Sequence, residues 1–103
     1  MTIRDLTALC GPLTPRLRAP ARIDSIIMHR IKVGHDALSV CEWFQAHPEE
    51  GIPSMPYHFF IRLDGNIDHA RLLDHLTPHA FRWNSRSIGV ALDGDFRTDK
   101  VTT

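Results

Sequence analysis

The sequence predicts an α/β domain built on a mixed central β-sheet with flanking helices. Three observations carry that prediction. An almost unbroken apolar run lies within 22–31, an amphipathic helical pattern fills 36–47, and two further strand-like segments lie at 57–63 and 86–93. Asp64-Gly65, a strong hairpin signal, follows the first of these two segments. A strand–helix–strand unit implies a parallel pair and a tight hairpin an antiparallel one, so one sheet must contain both.

Residues 1–21 read as an irregular lead-in. Pro12, Pro15 and Pro20 interrupt it, and the residue before each proline is biased toward extended backbone. Leu6, Leu9 and Leu13 have the spacing of a short helical turn. In 22–31, Ile23, Ile26, Ile27 and Met28 suit a strand buried on both faces. His29 closes that run and shares a face with Ile27 and Ile31, because strand side chains alternate.

Asp36 can cap the free N–H groups of a helix over 36–47. Ala37, Val40, Cys41 and Phe44 recur at i, i+3, i+4 and i+7 and form one apolar stripe, which makes Cys41 a buried thiol. Pro48 and Gly51 end the helix. Aromatic and β-branched residues make 57–63 a strand, and 66–70 returns from the Asp64-Gly65 turn. A polar connection over 71–84 leads to 86–93, where Ile88, Val90 and Leu92 alternate. Gly89 inside that strand predicts a close approach by a neighbour.

Composition limits the function. Across 103 residues, 43% are hydrophobic and 23% charged, which is globular rather than disordered. Twelve Lys+Arg balance twelve Asp+Glu, so the chain lacks the basic footprint of a nucleic-acid binder. No apolar run reaches membrane-spanning length. No secretory signal is legible in 1–20, which predicts that a producing cell keeps the protein in its cytoplasm. Cys10 and Cys41 are too few for a disulfide scaffold and are not spaced as a zinc knuckle. Seven histidines, His29, His35, His47, His58, His69, His75 and His79, supply metal-ligating and acid–base chemistry without any local metal motif.

Three patches matter together: Ile26-Ile27-Met28-His29, then the run from Pro56-Tyr57-His58-Phe59 to Asp64-Gly65, then His79 through Asn84 to Ser87-Ile88-Gly89-Val90. In this order and at these separations the chain resembles the zinc-dependent N-acetylmuramoyl-L-alanine amidases. That family includes phage lysozyme-type amidases, cytoplasmic anhydromuropeptide amidases and peptidoglycan recognition proteins. The resemblance covers about 22–96, which sets a domain division of lead-in 1–21, amidase-like 22–96 and polar tail 97–103. It implies hydrolysis of the amide between N-acetylmuramic acid and L-alanine of the stem peptide, with Zn2+ as cofactor and peptidoglycan or a muropeptide as partner.

By the same resemblance, His29 is the first metal ligand and Tyr57 a catalytic phenol beside the metal, aimed at the bound water or the developing oxyanion. The resemblance makes His79 and Asn84 substrate-groove residues; Trp83 has the chemistry to stack on a glycan, and strand alternation turns His58 away from Tyr57 as a structural residue. The resemblance breaks after Phe96. The family's second histidine and its cysteine or aspartate follow a further helix, whereas 97–103 contains neither histidine nor cysteine. The expected fold therefore lacks that C-terminal helix and the final zinc-ligand segment. Two expectations follow: weak or absent zinc binding by the isolated chain, and an uncovered apolar sheet face suited to self-association or a partner chain. Three readings stay open: an amidase, incomplete in this chain; a non-catalytic peptidoglycan-binding module; and an inactive prophage remnant. A phage lysin would act on the cell wall, and a recycling enzyme on muropeptides inside the cell.

Overall fold

A computed structural model describes residues 2–12 and 14–94. Five strands form one sheet: β1 (Ile3–Asp5), β2 (Ser25–Ile31), β3 (Phe59–Ile61), β4 (Ile67–His69) and β5 (Ser87–Asp93), in the order β1-β4-β3-β5-β2. The hairpin β3–β4 is antiparallel, while β1–β4, β3–β5 and β2–β5 are parallel. The predicted mixed sheet is present. Gly65, at φ 86°, supplies the left-handed backbone that its turn requires.

One helix, α1 (Ala37–Ala46), covers one face of the sheet. Asp36 accepts from the Ser39 N–H, and the Ser39 side chain bonds back to the Asp36 backbone, which completes a capping box. Ala37, Val40, Cys41 and Phe44 are all buried, as their spacing predicts. The cap is tied to the sheet. Buried Asp68 on β4 accepts from the Ala37 N–H at 2.9 Å and from Arg4 on β1 at 3.1 Å. Along the covered face, cross-strand partners run Arg4, Asp68, Phe60, Ala91, His29. His29 thus stands at the end of the row that α1 packs over.

Among the described residues, no element covers the opposite face. Ile3, Ile26 and Met28 there are 63%, 66% and 53% exposed. The reading of 22–31 as a strand buried on both faces is therefore corrected. β2 begins at Ser25, after a 3-10 turn at Pro20–Arg22, and lies at the sheet edge with Ile26 and Met28 facing outward. β-Branched residues favour a pleated strand on either face, so an apolar run alone does not report two-sided burial.

The lead-in is less irregular than predicted. Its β1 pairs with β4, and a turn carried by bonds from Leu9 and Cys10 N–H to the Leu6 carbonyl buries Leu6 and Cys10. Leu9 is exposed and Leu13 lies outside the described residues. The strands predicted at 57–63 and 66–70 shorten to three residues each, because the ladder between them runs only from Phe59↔His69 to Ile61↔Ile67. Tyr57 and His58 consequently precede β3 rather than belong to it. The predicted tail 97–103 lies outside the described residues.

Candidate functional site

β2, the segment before β3 and the loop before β5 bring three predicted residues together. The His29 and Tyr57 rings have centroids 5.1 Å apart, and His29 Nε2 lies 3.0 Å from His79 Nδ1. Gly89 makes this possible. A Cβ on Gly89 would lie 2.7 Å from His79 Cγ, so only glycine lets β5 pass beneath that ring. The close approach predicted at Gly89 is present, and the neighbour is His79.

The hydrogen bonds assign the tautomers. Ser87 Oγ donates its single proton to the Trp83 carbonyl at 2.7 Å, so His79 Nε2–H must donate to Ser87 Oγ at 3.1 Å. His79 Nδ1 is then an acceptor, and His29 Nε2–H donates to it. His29 is left with Nδ1 as a bare lone pair that has no protein donor among the described residues. Burial lowers the pKa of His29. Burial first, then the neighbouring His29, brings His79 down to about 4. Both rings are neutral at pH 7. Burial raises the Tyr57 pKa, so its hydroxyl stays a proton donor, and that hydroxyl has no hydrogen-bond partner among the described residues.

The other five histidines are held locally. Buried His58 accepts from the Gly89 N–H through Nδ1 and donates to the His75 carbonyl through Nε2, as a structural residue should. His35 Nδ1 pairs with Asp93, and His75 Nδ1 accepts from Arg71. His47 stacks on Trp43 and His69 on Phe59.

Asn84 orders the loop, its Oδ1 accepting from the His79 and Ala80 N–H groups at 3.1 and 2.7 Å. Asn84 also lines a cleft of about 440 Å³ with Pro12, Thr14, Arg16, Gly51, Pro53, Arg71, Leu76 and Pro78. Trp83 lies on the same loop, half exposed, with the Arg86 guanidinium 4.6 Å over its ring. One face of the indole is thus already occupied.

Arg71 is the feature that sequence reasoning missed. It is 3% exposed, its Nη1 donates to the Met55 carbonyl at 2.8 Å and its Nε to His75. Its Nη2 has no hydrogen-bond acceptor among the described residues, and no lining residue of the cleft is acidic. Burial lowers its pKa but leaves the guanidinium charged. A buried cation without a counter-charge is costly unless an anion completes it. Arg16 adds a second positive charge to the same cleft.

Among the described residues, no group of three or more His, Cys, Asp or Glu is placed to hold a metal ion. A catalytic zinc needs three protein donors. His79 Nδ1 is consumed by His29, so His29 Nδ1 is the one free imidazole nitrogen of the cluster. The described residues do not by themselves fit the ion.

Comparison with known proteins places the chain. The family model described as N-acetylmuramoyl-L-alanine amidase matches residues 19–103. An endolysin of Klebsiella phage KP32 is 40% identical over 57 residues, which span 55% of this chain and 38% of that protein. Peptidoglycan-recognition protein SC2 of Drosophila melanogaster is 36% identical over 53 residues, 52% of this chain and 29% of that protein. Among solved structures, the endolysin amidase LysCS from Clostridium intestinale URNW superposes with a TM-score of 0.72 at 25% identity, over 98% of this chain and 63% of that one. The matched segments span well under half the length of these two curated relatives. With the family model matching most of its length, the chain belongs to the N-acetylmuramoyl-L-alanine amidase family.

Proposed function

We propose that this chain carries the peptide-binding part of a peptidoglycan amidase active site. In this reading the cleft takes the stem peptide, with a peptide carboxylate on Arg71 Nη2 and Arg16. The amide between the lactyl group and L-alanine lies at His29 and Tyr57. The observation that carries it is the continuity of the two features: Asn84 caps the His79 loop and also lines the arginine cleft. Carboxylate-bearing peptide fits a charged fork without a protein counter-ion.

The Tyr57 hydroxyl would donate to the carbonyl oxygen as negative charge develops there during water attack. His29 Nδ1 supplies the lone pair beside it, in a tautomer fixed through His79 and Ser87. Zinc, when bound in this family, would make a water nucleophilic near neutral pH. With one free imidazole nitrogen in the His29–Tyr57–His79 cluster, these residues alone would hold zinc weakly, and a stoichiometric, chelator-resistant zinc in purified protein would refute that. His79, Asn84 and Trp83 border the substrate in this reading, Trp83 through its free face. The setting is a phage lysin acting on the cell wall. The bare sheet face would be covered by a second copy or a partner chain, and light scattering from a clean monomer at high concentration would count against it.

A second reading, binding without cleavage, is favoured by the single free imidazole nitrogen of that cluster. Purified sacculi separate the readings. Co-sedimentation with new L-alanine amino termini supports the amidase, and co-sedimentation without them supports the binding module. Absence of both leaves the remnant reading and sinks the proposal.

A further inference from the structure

The two cysteines lie 31 positions apart and are brought together in the core. Cys10 is fully buried and Cys41 is 3% exposed. Cys41 Sγ lies 4.0 Å from the Cys10 carbonyl oxygen and donates to it, and both residues belong to the same buried cluster. Both are free thiols, and their proximity is not legible in the sequence, since one sits in a loop turn and the other on the buried stripe of α1.

The surroundings keep the pair together while leaving a way in. Ser54 Oγ donates to the Cys10 carbonyl at 2.9 Å, and the Cys10 N–H closes the turn on the Leu6 carbonyl at 3.1 Å. Three residues of that turn are exposed or half-exposed, so its opening is a local event rather than global unfolding. The next residue, Gly11, stands against Arg71: a Cβ there would lie 3.5 Å from Arg71 Nε. Pro12, Thr14 and Arg16 then form one wall of the cleft. Whatever fixes Cys10 fixes the start of that wall.

We propose that Cys10 and Cys41 are a redox-responsive pair that closes into a disulfide and pins the N-terminal segment to α1. The oxidant is a small-molecule disulfide such as oxidised glutathione. The Cys41 thiolate attacks one sulfur of that disulfide, and its first thiolate leaves with the electron pair and takes up a proton. Cys10 loses its proton and attacks the Cys41 sulfur of the mixed disulfide, which releases the second small thiol. Two protein thiols are oxidised by two electrons and one small disulfide is reduced to two thiols. Cys41, on the rigid stripe of α1, is the nucleophile: the neighbouring Cys10 side chain first, then the Met55 backbone and the Arg71 charge, hold its pKa down to about 7. The neighbouring Cys41, with burial, raises Cys10, which stays a thiol until it resolves the mixed disulfide.

The test incubates the full chain with oxidised glutathione under native conditions, quenches in acid, alkylates, and reads tryptic peptides by mass spectrometry. The expected product is a single monomeric species in which peptide 5–16 is joined to peptide 33–62. Its thermal midpoint should lie about 15–20 °C above that of the reduced chain, because the bond closes a loop of about thirty residues in the unfolded state. The Cys10→Ser and Cys41→Ser variants should each lose the cross-link. Cys10→Ser should accumulate a stable glutathione adduct on Cys41, and Cys41→Ser should modify more slowly. Two alkylated thiols after prolonged oxidation, persistent glutathione on both cysteines of the parent chain, or a lowered midpoint on cross-linking would each overturn the proposal. None of these readouts depends on whether the cleft binds a peptide.

Discussion

Replacing Gly89 by alanine tests how the site is assembled. The added Cβ would lie 2.7, 2.8 and 2.9 Å from Cγ, Nδ1 and Cδ2 of His79. Ordinary carbon contacts are about 3.5–4.0 Å, so the ring must retreat by close to 1 Å. It has no easy direction, because His29 holds one nitrogen at 3.0 Å and Ser87 the other at 3.1 Å. Overpacking of this kind costs about 1–3 kcal/mol, and loss of one ring hydrogen bond adds roughly 1 kcal/mol. Alanine regains about 0.5–1 kcal/mol of backbone entropy. The net expectation is a destabilisation of about 2 kcal/mol, a thermal midpoint lower by roughly 10 °C. Circular dichroism melts of the two proteins measure it. A G89A chain as stable as the parent would refute the claim that β5 is shaped around the His79 ring.

Further outcomes follow from the same geometry. Tyr57→Phe removes a hydroxyl that bonds to nothing in the described residues, so the midpoint should hold while any amide hydrolysis falls roughly 100-fold or more; unchanged turnover would exclude the phenol from the chemistry. Arg71→Lys keeps the charge but loses the fork, and should weaken muramoyl-peptide binding about tenfold by calorimetry; equal affinity would remove Arg71 from the binding surface. Burial, ahead of any charge, brings His58 down to about 4. Its folded pKa thus lies below the ordinary value near 6.5, so the fold favours the neutral ring. The resulting stability is complete above about pH 6.5 and drains away as pH falls toward 4, by on the order of 3 kcal/mol. Urea midpoints between pH 7 and 4.5 should fall accordingly and fall less steeply in His58→Gln, where the buried His79 still contributes; a flat parent profile would contradict it.

The helix was legible because its stripe and its cap are local: Asp36, Ser39 and the four buried residues sit within nine positions. The hairpin was legible because Asp64-Gly65 forces its own turn. β1 was not, since Ile3–Asp5 has no pattern of its own and exists through its pairing with β4. The exposure of Ile26 and Met28 was hidden because an isoleucine-rich strand reads the same at the edge and at the centre of a sheet. In the site, His29, Tyr57 and His79 were recognisable as a resemblance, but the bond from His29 to His79 spans 50 positions and depends on the absence of a side chain at Gly89. Arg71 looked like one more surface charge in a polar connection, and only its burial marks it.

The most direct test of where ligand meets this protein is a titration with a muramoyl tripeptide, followed by the histidine ring nitrogens and the Tyr57 ring in nuclear magnetic resonance spectra. The free chain should show His29 protonated at Nε2 with Nδ1 bare, and the peptide should perturb His29 and Tyr57 together while His58 stays fixed. Perturbation confined to histidines away from that cluster, or a His29 protonated at Nδ1, would contradict the proposed active site.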